Sequence, residues 1–245
     1  MRHSMKMSSI FLSTLLLLSV TVSTTAQETT SNFGVGADIV SSYVWRGVPQ
    51  DVTNPKGTPN IQPYASYTIG GLTIGTWGSS SFTGTVKEFD LYATYVLSDL
   101  FSVTLTDYNW NFSQGYFNYG DGTDHVFEGT VSYAGIESFP LSASINTMFY
   151  GADLKNKNED GTGGEQAYST YVELGYPLAS NAKLFLGASL LESDNYVTEG
   201  FGITNVGIKV SKSIEITDKF SLPVYGIAGV NPNAENAFLV VGITL

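Results

Sequence analysis

The chain has 245 residues and carries 22 acidic against 11 basic side chains, which gives a formal net charge of −11 at pH 7. This acidic balance argues against nucleic acid as a partner, because proteins bind phosphate backbones through basic surfaces. The sequence contains no cysteine, which excludes disulfides and thiolate-bound metals.

Residues 1–26 have the features of a secretory signal peptide. Arg2 and Lys6 supply positive charge, residues 10–20 form an apolar stretch too short to cross a bilayer as a helix, and residues 24–26 are small enough for a cleavage site. A retained apolar helix is the alternative. Cleavage after Ala26 would remove both basic residues but no acidic one, so the mature protein would have a net charge of −13.

From residue 33 to residue 245, apolar and polar residues alternate over successive stretches that turn residues separate. Alternate residues of a strand point to opposite faces, and a tilted strand needs about 9–11 residues to cross a bilayer. The mean hydropathy is only +0.05, which argues against a helical membrane protein. We therefore expect residues 27–245 to form one domain, a transmembrane antiparallel up-and-down β-barrel.

The turn residues divide this alternation into twelve predicted strands, although ten or fourteen would also fit. The strands cover residues 33–46, 59–69, 72–82, 86–97, 100–112, 125–135, 139–150, 167–176, 183–192, 201–212, 219–230 and 237–245. Short connections alternate with long polar ones, except that the outer connection at residues 83–85 is also short. In such barrels the short turns face the periplasm and the long loops face outward. A soluble β-sandwich would also alternate, but its long loops need not fall at every second connection.

Two of these strands contain irregularities. The apolar residues change parity within the fifth strand, from residues 101–105 to residues 108–112, which predicts a one-residue bulge near Thr106 and Asp107. Pro63 lies within the second strand, where it cannot donate a hydrogen bond to a neighbour. It predicts a second bulge, or a strand that begins later.

Three short motifs resemble those of the TorF-type porin family. Residues 41–50 read SSYVWRGVPQ, residues 75–80 read GTWGSS, and residues 88–93 read EFDLYA. The family has a tyrosine, an aromatic residue and Arg-Gly at its first strand and loop, and Glu-x-Asp-x-Tyr in a later strand. The resemblance implies an outer-membrane barrel of a Gram-negative bacterium, classed as a porin, with no settled substrate and no catalytic residue.

Charged residues on the inward parity are candidates for the lining or constriction of a pore. Arg46, Glu88 and Asp90 all fall near the predicted outer mouth, where they could narrow the pore and set its ion preference, or brace the wall as an ion pair. The further candidates are Asp38, Glu128, Glu173 and Lys209. Because the acids outnumber the bases, we expect a mild preference for cations.

Aromatic residues near the strand ends predict the two interfacial girdles of a membrane barrel. The candidate girdle residues are Tyr43, Trp45 and Trp110 at the outer ends and Tyr67, Tyr95, Tyr133 and Tyr176 at the inner ends. A carbohydrate-stacking site is the alternative for aromatic residues, and residues 116–119 are the best place for it.

These features predict a porin-like channel in the outer membrane for passive diffusion of small hydrophilic solutes or ions. Outer-membrane lipid and the barrel-assembly machinery, through residues 238–245, are the expected partners. We expect no cofactor, no metal and no catalytic residue.

Two other functions fit the same barrel. Inward tyrosines and tryptophans, among them Tyr64, Trp77, Tyr92 and Tyr171, could obstruct the lumen and leave a non-conducting barrel with a surface-binding or structural role. An outer-membrane lipid hydrolase would need His125 beside a serine nucleophile. The outward positions nearby on the neighbouring strands contain no serine, so we do not expect an enzyme.

Overall fold

A computed structural model of the chain describes residues 32–54, 56–110, 112–113, 115–120, 122–158 and 163–245. The predicted signal peptide lies outside the described residues. Within them, twelve antiparallel strands close into a barrel. They are β1 (Phe33–Val40), β2 (Asn60–Ile69), β3 (Leu72–Ser81), β4 (Lys87–Val96), β5 (Phe101–Asn109), β6 (His125–Tyr133), β7 (Ser142–Gly151), β8 (Thr170–Ala179), β9 (Ala182–Ser189), β10 (Gly202–Thr217), β11 (Phe220–Asn231) and β12 (Asn236–Thr244).

Every barrel strand pairs with its neighbours in sequence, and β1 closes the barrel by pairing with β12. Asp38 lies opposite Thr244, and the backbone of Leu245 exchanges two hydrogen bonds with that of Ala37 just beyond. The predicted twelve-stranded, up-and-down topology is confirmed. No helix long and apolar enough to span a membrane occurs in the described part of the chain.

Apolar side chains cover the outer face of the barrel. They alternate along each strand with residues that face the lumen, as the period of a strand requires. The exposed band includes Val35, Ile61, Ile74, Leu91, Leu105, Val131, Ile145, Leu174, Leu186, Val210, Leu239 and Val241. A water-soluble monomer rarely exposes an apolar surface of this extent.

Large aromatic side chains inside the barrel rest on glycines of neighbouring strands. At Gly229, for example, an added Cβ would lie 2.4 Å from Cζ of Phe238, which leaves room for the ring alone. The same arrangement places Tyr64 on Gly36, Tyr92 on Gly75, Tyr171 on Gly187, Phe185 on Gly207 and Tyr225 on Gly242. These rings therefore lie along the wall and do not project across the lumen.

Three predictions about individual strands are wrong. The first strand ends at Val40 and not at Arg46, because the chain turns into the lumen. The fifth strand has no bulge, since β5 keeps one register with both β4 and β6. Pro63 causes neither a bulge nor a late start, because β2 begins at Asn60 and its register is the same on both sides of the proline.

The contact between the Phe238 ring and Gly229 allows the packing inside the lumen to be tested. We expect Gly229→Ala to lower the free energy of unfolding by about 1–3 kcal/mol, because the new methyl group displaces Phe238. Gly226→Ala on the same strand is the matched control, since the nearest atom to its added Cβ is 3.9 Å away. Urea titration in lipid vesicles measures both changes. Adding Phe238→Ala to Gly229→Ala should cost less than the two single changes together, and strict additivity would contradict this packing.

Candidate functional site

A short hairpin of residues 41–49 leaves the wall after β1 and enters the lumen; we call it the lumen hairpin. Val44 and Trp45 pair with Pro49 and Val48. The two residues at the tip, Arg46 and Gly47, have φ angles of 50° and 83°. Positive φ at both central residues is the geometry of the tight turn that matches the twist of two-residue hairpins.

The tip of the lumen hairpin is fixed against the wall at β10 and β11. Thr204 is left out of the β9–β10 ladder, which pairs Ala188 with Ile203 and Gly187 with Asn205 on either side of it. Its hydroxyl donates to the carbonyl of Arg46 at 3.1 Å. A Cβ at Gly47 would lie only 1.8 Å from the Thr204 carbonyl oxygen, so only glycine fits at this contact.

Arg46 is buried within the lumen and forms a two-pronged ion pair with Glu128 of β6. The nitrogen–oxygen distances are 2.5 Å and 2.8 Å. The guanidinium also donates to the Tyr196 hydroxyl, and its central carbon lies 4.6 Å from the centre of the Trp45 ring. Burial alone would lower the pKa of Arg46, but the Glu128 carboxylate outweighs it and holds the pKa well above its usual value.

Aromatic rings surround this ion pair. Trp45 stacks on Tyr196 at 5.3 Å between ring centres and meets Tyr108 edge-on at 5.7 Å. Tyr43 packs on Trp77 at 5.4 Å. Burial, and then the neighbouring Glu88 and Asp90 carboxyl groups, raise the pKa of the Tyr43 hydroxyl well above its ordinary value. The lumen hairpin thus contacts strands on opposite sides of the barrel and lies across its interior.

The outer girdle prediction is wrong for its three members. Tyr43 and Trp45 are only 7% and 3% exposed, because they belong to the lumen hairpin and not to the wall. Trp110 stacks on Tyr108 at 5.2 Å and lies 6.0 Å from Trp45, since β5 has no bulge to turn it outward. Inside the barrel these rings pack against one another.

The inner-end aromatics lie on the outer face as predicted. Tyr95 and Tyr176 are 51% and 40% exposed. Tyr67 packs on Phe33 and Tyr133 packs on Phe101, with ring centres 4.7 Å and 5.3 Å apart.

The sequence does not indicate that Tyr196 belongs to the group of aromatic rings around Arg46. It lies in a long outer loop between the short strands Glu192–Ser193 and Thr198–Glu199. Asn195 beside it donates to the buried carboxylate of Asp153, which also accepts from Ser169. These bonds hold the Tyr196 ring over Arg46. An isolated tyrosine in a polar loop has no periodicity that could indicate such a position.

The charged residues predicted to face inward are paired differently from the expectation. Glu88 and Glu173 are buried, and the residues that line the interior of the barrel are Asp38, Arg46, Asp90, Glu128 and Lys209. Arg46 binds Glu128, so the predicted cluster of Arg46 with Glu88 and Asp90 does not form. The remaining contacts are local. Asp38 accepts from Tyr225 and Thr244, Glu173 accepts from Tyr171, Asp90 accepts from the Asn109 backbone, and Lys209 lies over the Tyr225 ring.

A cavity lined by both polar and apolar side chains extends from the lumen hairpin toward the short-turn end of the barrel. The hairpin closes its outer end with Tyr43, Trp45 and Arg46. Most of the wall side chains around it are hydroxyl, amide or charged groups. They include Asp38, Gln62, Thr104, Thr130, Ser132, Ser144, Asn146 and Lys209. The interior beyond the hairpin can therefore hold water and small polar solutes.

His125 lies on the outer face of the barrel beneath the loop that follows β5. Its Nδ1 is 2.6 Å from an oxygen of Asp107, and its Nε2 is 2.5 Å from the carbonyl oxygen of Tyr116. Both ring nitrogens are thus within hydrogen-bonding distance of a protein oxygen. The side chain is fully buried, with the Tyr119 ring stacked on it at 4.1 Å. This geometry leaves neither nitrogen available as a general base.

Asp51 fastens the chain after the lumen hairpin to the neighbouring loop. Its carboxylate accepts hydrogen bonds from the hydroxyls of Thr53, Thr58 and Thr85 at 2.6–2.9 Å. These bonds, that of Thr53 first, hold the pKa of Asp51 below its ordinary value. The base of the hairpin is thus tied to the loop between β3 and β4.

Removing Arg46 should be strongly destabilising. We expect Arg46→Ala to cost about 3–5 kcal/mol, because it leaves the Glu128 carboxylate buried without a partner. The exposed pair of Lys157 and Asp194 is the control, and Lys157→Ala should cost less than about 1 kcal/mol. Urea unfolding of both variants, of Glu128→Ala and of Arg46→Ala/Glu128→Ala measures these changes. A double variant as costly as the sum of its parts would contradict a coupled pair.

The depressed pKa of Asp51 predicts that the stability of the loop it anchors depends on pH. Because its folded pKa is depressed, its stabilisation is complete above the unfolded value near 4 and is lost as the pH falls through the folded value. We expect hydrogen-exchange protection in residues 53–58, corrected for intrinsic rates, to persist at neutral pH and to fall below about pH 4. Asp51→Asn should lower it at every pH, whereas Asp99→Asn in an exposed turn should not.

No family model matches the sequence, and no curated protein matches it. Among solved structures, the chain is similar to a KdgM porin, with 10% sequence identity and a TM-score of 0.48. It is also similar to a KdgM porin in complex with disordered oligogalacturonate, with 10% identity and a TM-score of 0.47. Both alignments cover 86% of this chain and 96% of the porin chain. A structure described as "Asymmetric conductivity of engineered proteins" has 12% identity and a TM-score of 0.36, covering 84% of this chain and 61% of that one. At these values the likenesses carry no argument about function, and the TorF-type resemblance stays an expectation from its motifs.

Proposed function

We propose that this protein is a porin-like channel in the outer membrane of a Gram-negative bacterium, through which small hydrophilic solutes or ions diffuse passively. The observation that carries the proposal is a cavity, with hydroxyl, amide and charged side chains on most of its wall, inside a closed barrel whose outer face is apolar. Lipid is a barrier to polar solutes, and a wall with an apolar outside and a polar inside provides a path through it.

The placement in a membrane is supported by the dimensions and surface of the wall. Most barrel strands have eight to ten residues, close to the length that a tilted strand needs to cross a bilayer. Tyr67, Tyr95, Tyr133 and Tyr176 remain candidates for the inner girdle. The last strand, which ends at Thr244, is the segment that we expect the barrel-assembly machinery to bind.

The lumen hairpin is the proposed constriction, and its charges are nearly balanced. Glu128 neutralises Arg46, so neither contributes a full charge to the path. Among the described residues, other ionisable side chains of the lumen wall are the carboxyl groups of Asp38, Glu88, Asp90 and Glu173 and the amino groups of Lys183 and Lys209. The larger number of carboxyl groups is the basis of the proposed mild preference for cations.

A non-conducting barrel is the second candidate, and one observation favours it. The tip of the lumen hairpin is bonded to Thr204 of β10 and Asn231 of β11, so the hairpin is held in place at both ends. If no solute passes it, the outer loops would serve a surface-binding or structural role. A lipid hydrolase is disfavoured, because Tyr116 and Asp107 occupy both nitrogens of His125, and we propose no enzymatic activity.

Single-channel recording of the refolded mature protein in a planar bilayer under a salt gradient tests the channel. We expect steady openings and a reversal potential that favours cations. Glu88→Gln and Asp90→Asn should reduce that potential, and Asp99→Asn at an exposed turn should leave it unchanged.

Trp45→Ala should raise the conductance, because it removes a ring that fills the constriction. Heat-modifiable migration in gels would show that each variant is a folded barrel. A folded wild-type barrel without openings would contradict the channel and favour the second candidate. Openings that Trp45→Ala leaves unchanged would place the constriction elsewhere.

A further inference from the structure

The barrel wall has a seam between the outer ends of β2 and β3. Their ladder pairs Ile61 with Ser80 and Tyr64 with Trp77, but it has no paired positions at Gln62 and Pro63, both described residues. Proline has no N–H to donate, so the ladder lacks a hydrogen bond at this point. On its other side Pro63 keeps its place opposite Ala37 of β1, and the seam is therefore confined to one edge of β2.

The seam opens outward into an apolar groove, which we call the outer groove. Small residues of β3 line part of it, apolar side chains of β2 and β4 form its sides, and two rings of the loop after β5 cover its end. These residues are Gly78 and Ser80, Ile61 and Phe89, and Phe112 and Tyr116, and Pro63, Ser79 and the buried Glu88 also border the groove. The Tyr116 ring meets Phe89 edge-on at 5.4 Å and Phe112 at 6.3 Å.

The covering loop is anchored to the wall and does not project freely. The carbonyl of Tyr116 lies 2.5 Å from Nε2 of the buried His125, which Asp107 holds from the other side. Tyr119 stacks on the same imidazole, and its hydroxyl donates to Asp107 at 3.3 Å. The outer groove is therefore built into the fold, with both of its sides held by fixed elements.

Lys87 lines the outer groove at the first residue of β4 and is exposed. Among the described residues, no carboxylate lies within 4.0 Å of its ammonium group. An unpaired cation beside an apolar groove, on the lipid-facing side of an acidic protein, complements a molecule with an apolar chain and an anionic head. Its place at the outer end of a strand is the level of the lipid headgroups.

We propose that the outer groove binds an acyl chain of an anionic lipid of the outer leaflet, with the lipid phosphate on Lys87. The proposal rests on the placement of the barrel in a membrane, as proposed above, but not on conduction through its lumen. A peptide or a sugar in this groove would leave polar groups without hydrogen-bond partners, whereas an acyl chain has none to satisfy. Ser80 and Gly78 leave the space that such a chain would fill.

Native mass spectrometry of the full-length mature barrel tests the lipid site. The protein is stripped of lipid in detergent and then offered phosphatidylglycerol or phosphatidylcholine with identical chains. We expect the wild type to retain phosphatidylglycerol preferentially. Ser80→Phe fills the groove and should lower the retained fraction by about tenfold. Ala228→Phe adds the same ring to the outer face of β11 and should have no effect.

The phosphate contact has its own test. Lys87→Gln should abolish the preference for phosphatidylglycerol and leave retention of phosphatidylcholine unchanged, while Lys56→Gln in an outer loop should preserve the preference. Equal retention of phosphatidylglycerol by Ser80→Phe and the wild type would overturn the proposal that the groove binds lipid. A preference for phosphatidylglycerol that survives Lys87→Gln would overturn the proposed contact between Lys87 and the lipid phosphate. Conductance is recorded separately for the wild type, so a wild-type barrel that retains phosphatidylglycerol without conducting contradicts only the channel.

Discussion

A buried guanidinium must have a carboxylate beside it, and the interior of this barrel is organised around that requirement. Arg46 lies at the tip of a hairpin that crosses the lumen, and Glu128 meets it with two hydrogen bonds. Removal of charge from water is costly, so the ion pair is favourable only because further groups satisfy and enclose it. Tyr108 donates to Glu128, and Tyr196 covers the guanidinium from an outer loop.

Aromatic side chains are packed differently in the barrel wall and in the lumen hairpin. Several aromatic side chains of the wall lie on a glycine of the next strand, so that Tyr92 on Gly75 or Tyr225 on Gly242 occupies little of the lumen. The lumen hairpin uses aromatic rings in the opposite way, to fill the space between distant strands. The cavity lies where the aromatic rings rest on glycines of the wall, and it ends where the rings of the lumen hairpin fill the space between the strands.

The fold could be predicted from the sequence because the lipid outside a membrane barrel and the water inside it favour apolar and polar side chains at alternate positions of each strand. Leu91 and Asp90, or Val131 and Glu128, show the two faces directly. The lumen hairpin could not be predicted, because Tyr43 and Trp45 continue the apolar parity of the first strand. Periodicity does not distinguish a ring that faces lipid from one that faces other rings, and the same ambiguity produced the false bulge before Tyr108. Gly47 was the one local signal of a turn, and its arginine neighbour is not a common turn residue.

The contacts of the lumen hairpin join parts of the chain that are very far apart in sequence, and this has a consequence for the order of folding. The bonds from Thr204 to Arg46 and from Asn231 to Gly47 span 158 and 184 residues. Contacts across such distances form after local ones, because a long loop must close first. The contacts of the hairpin with Trp77, Tyr108 and Glu128 join closer parts of the chain, so its tip becomes fixed only when β10 and β11 are in place.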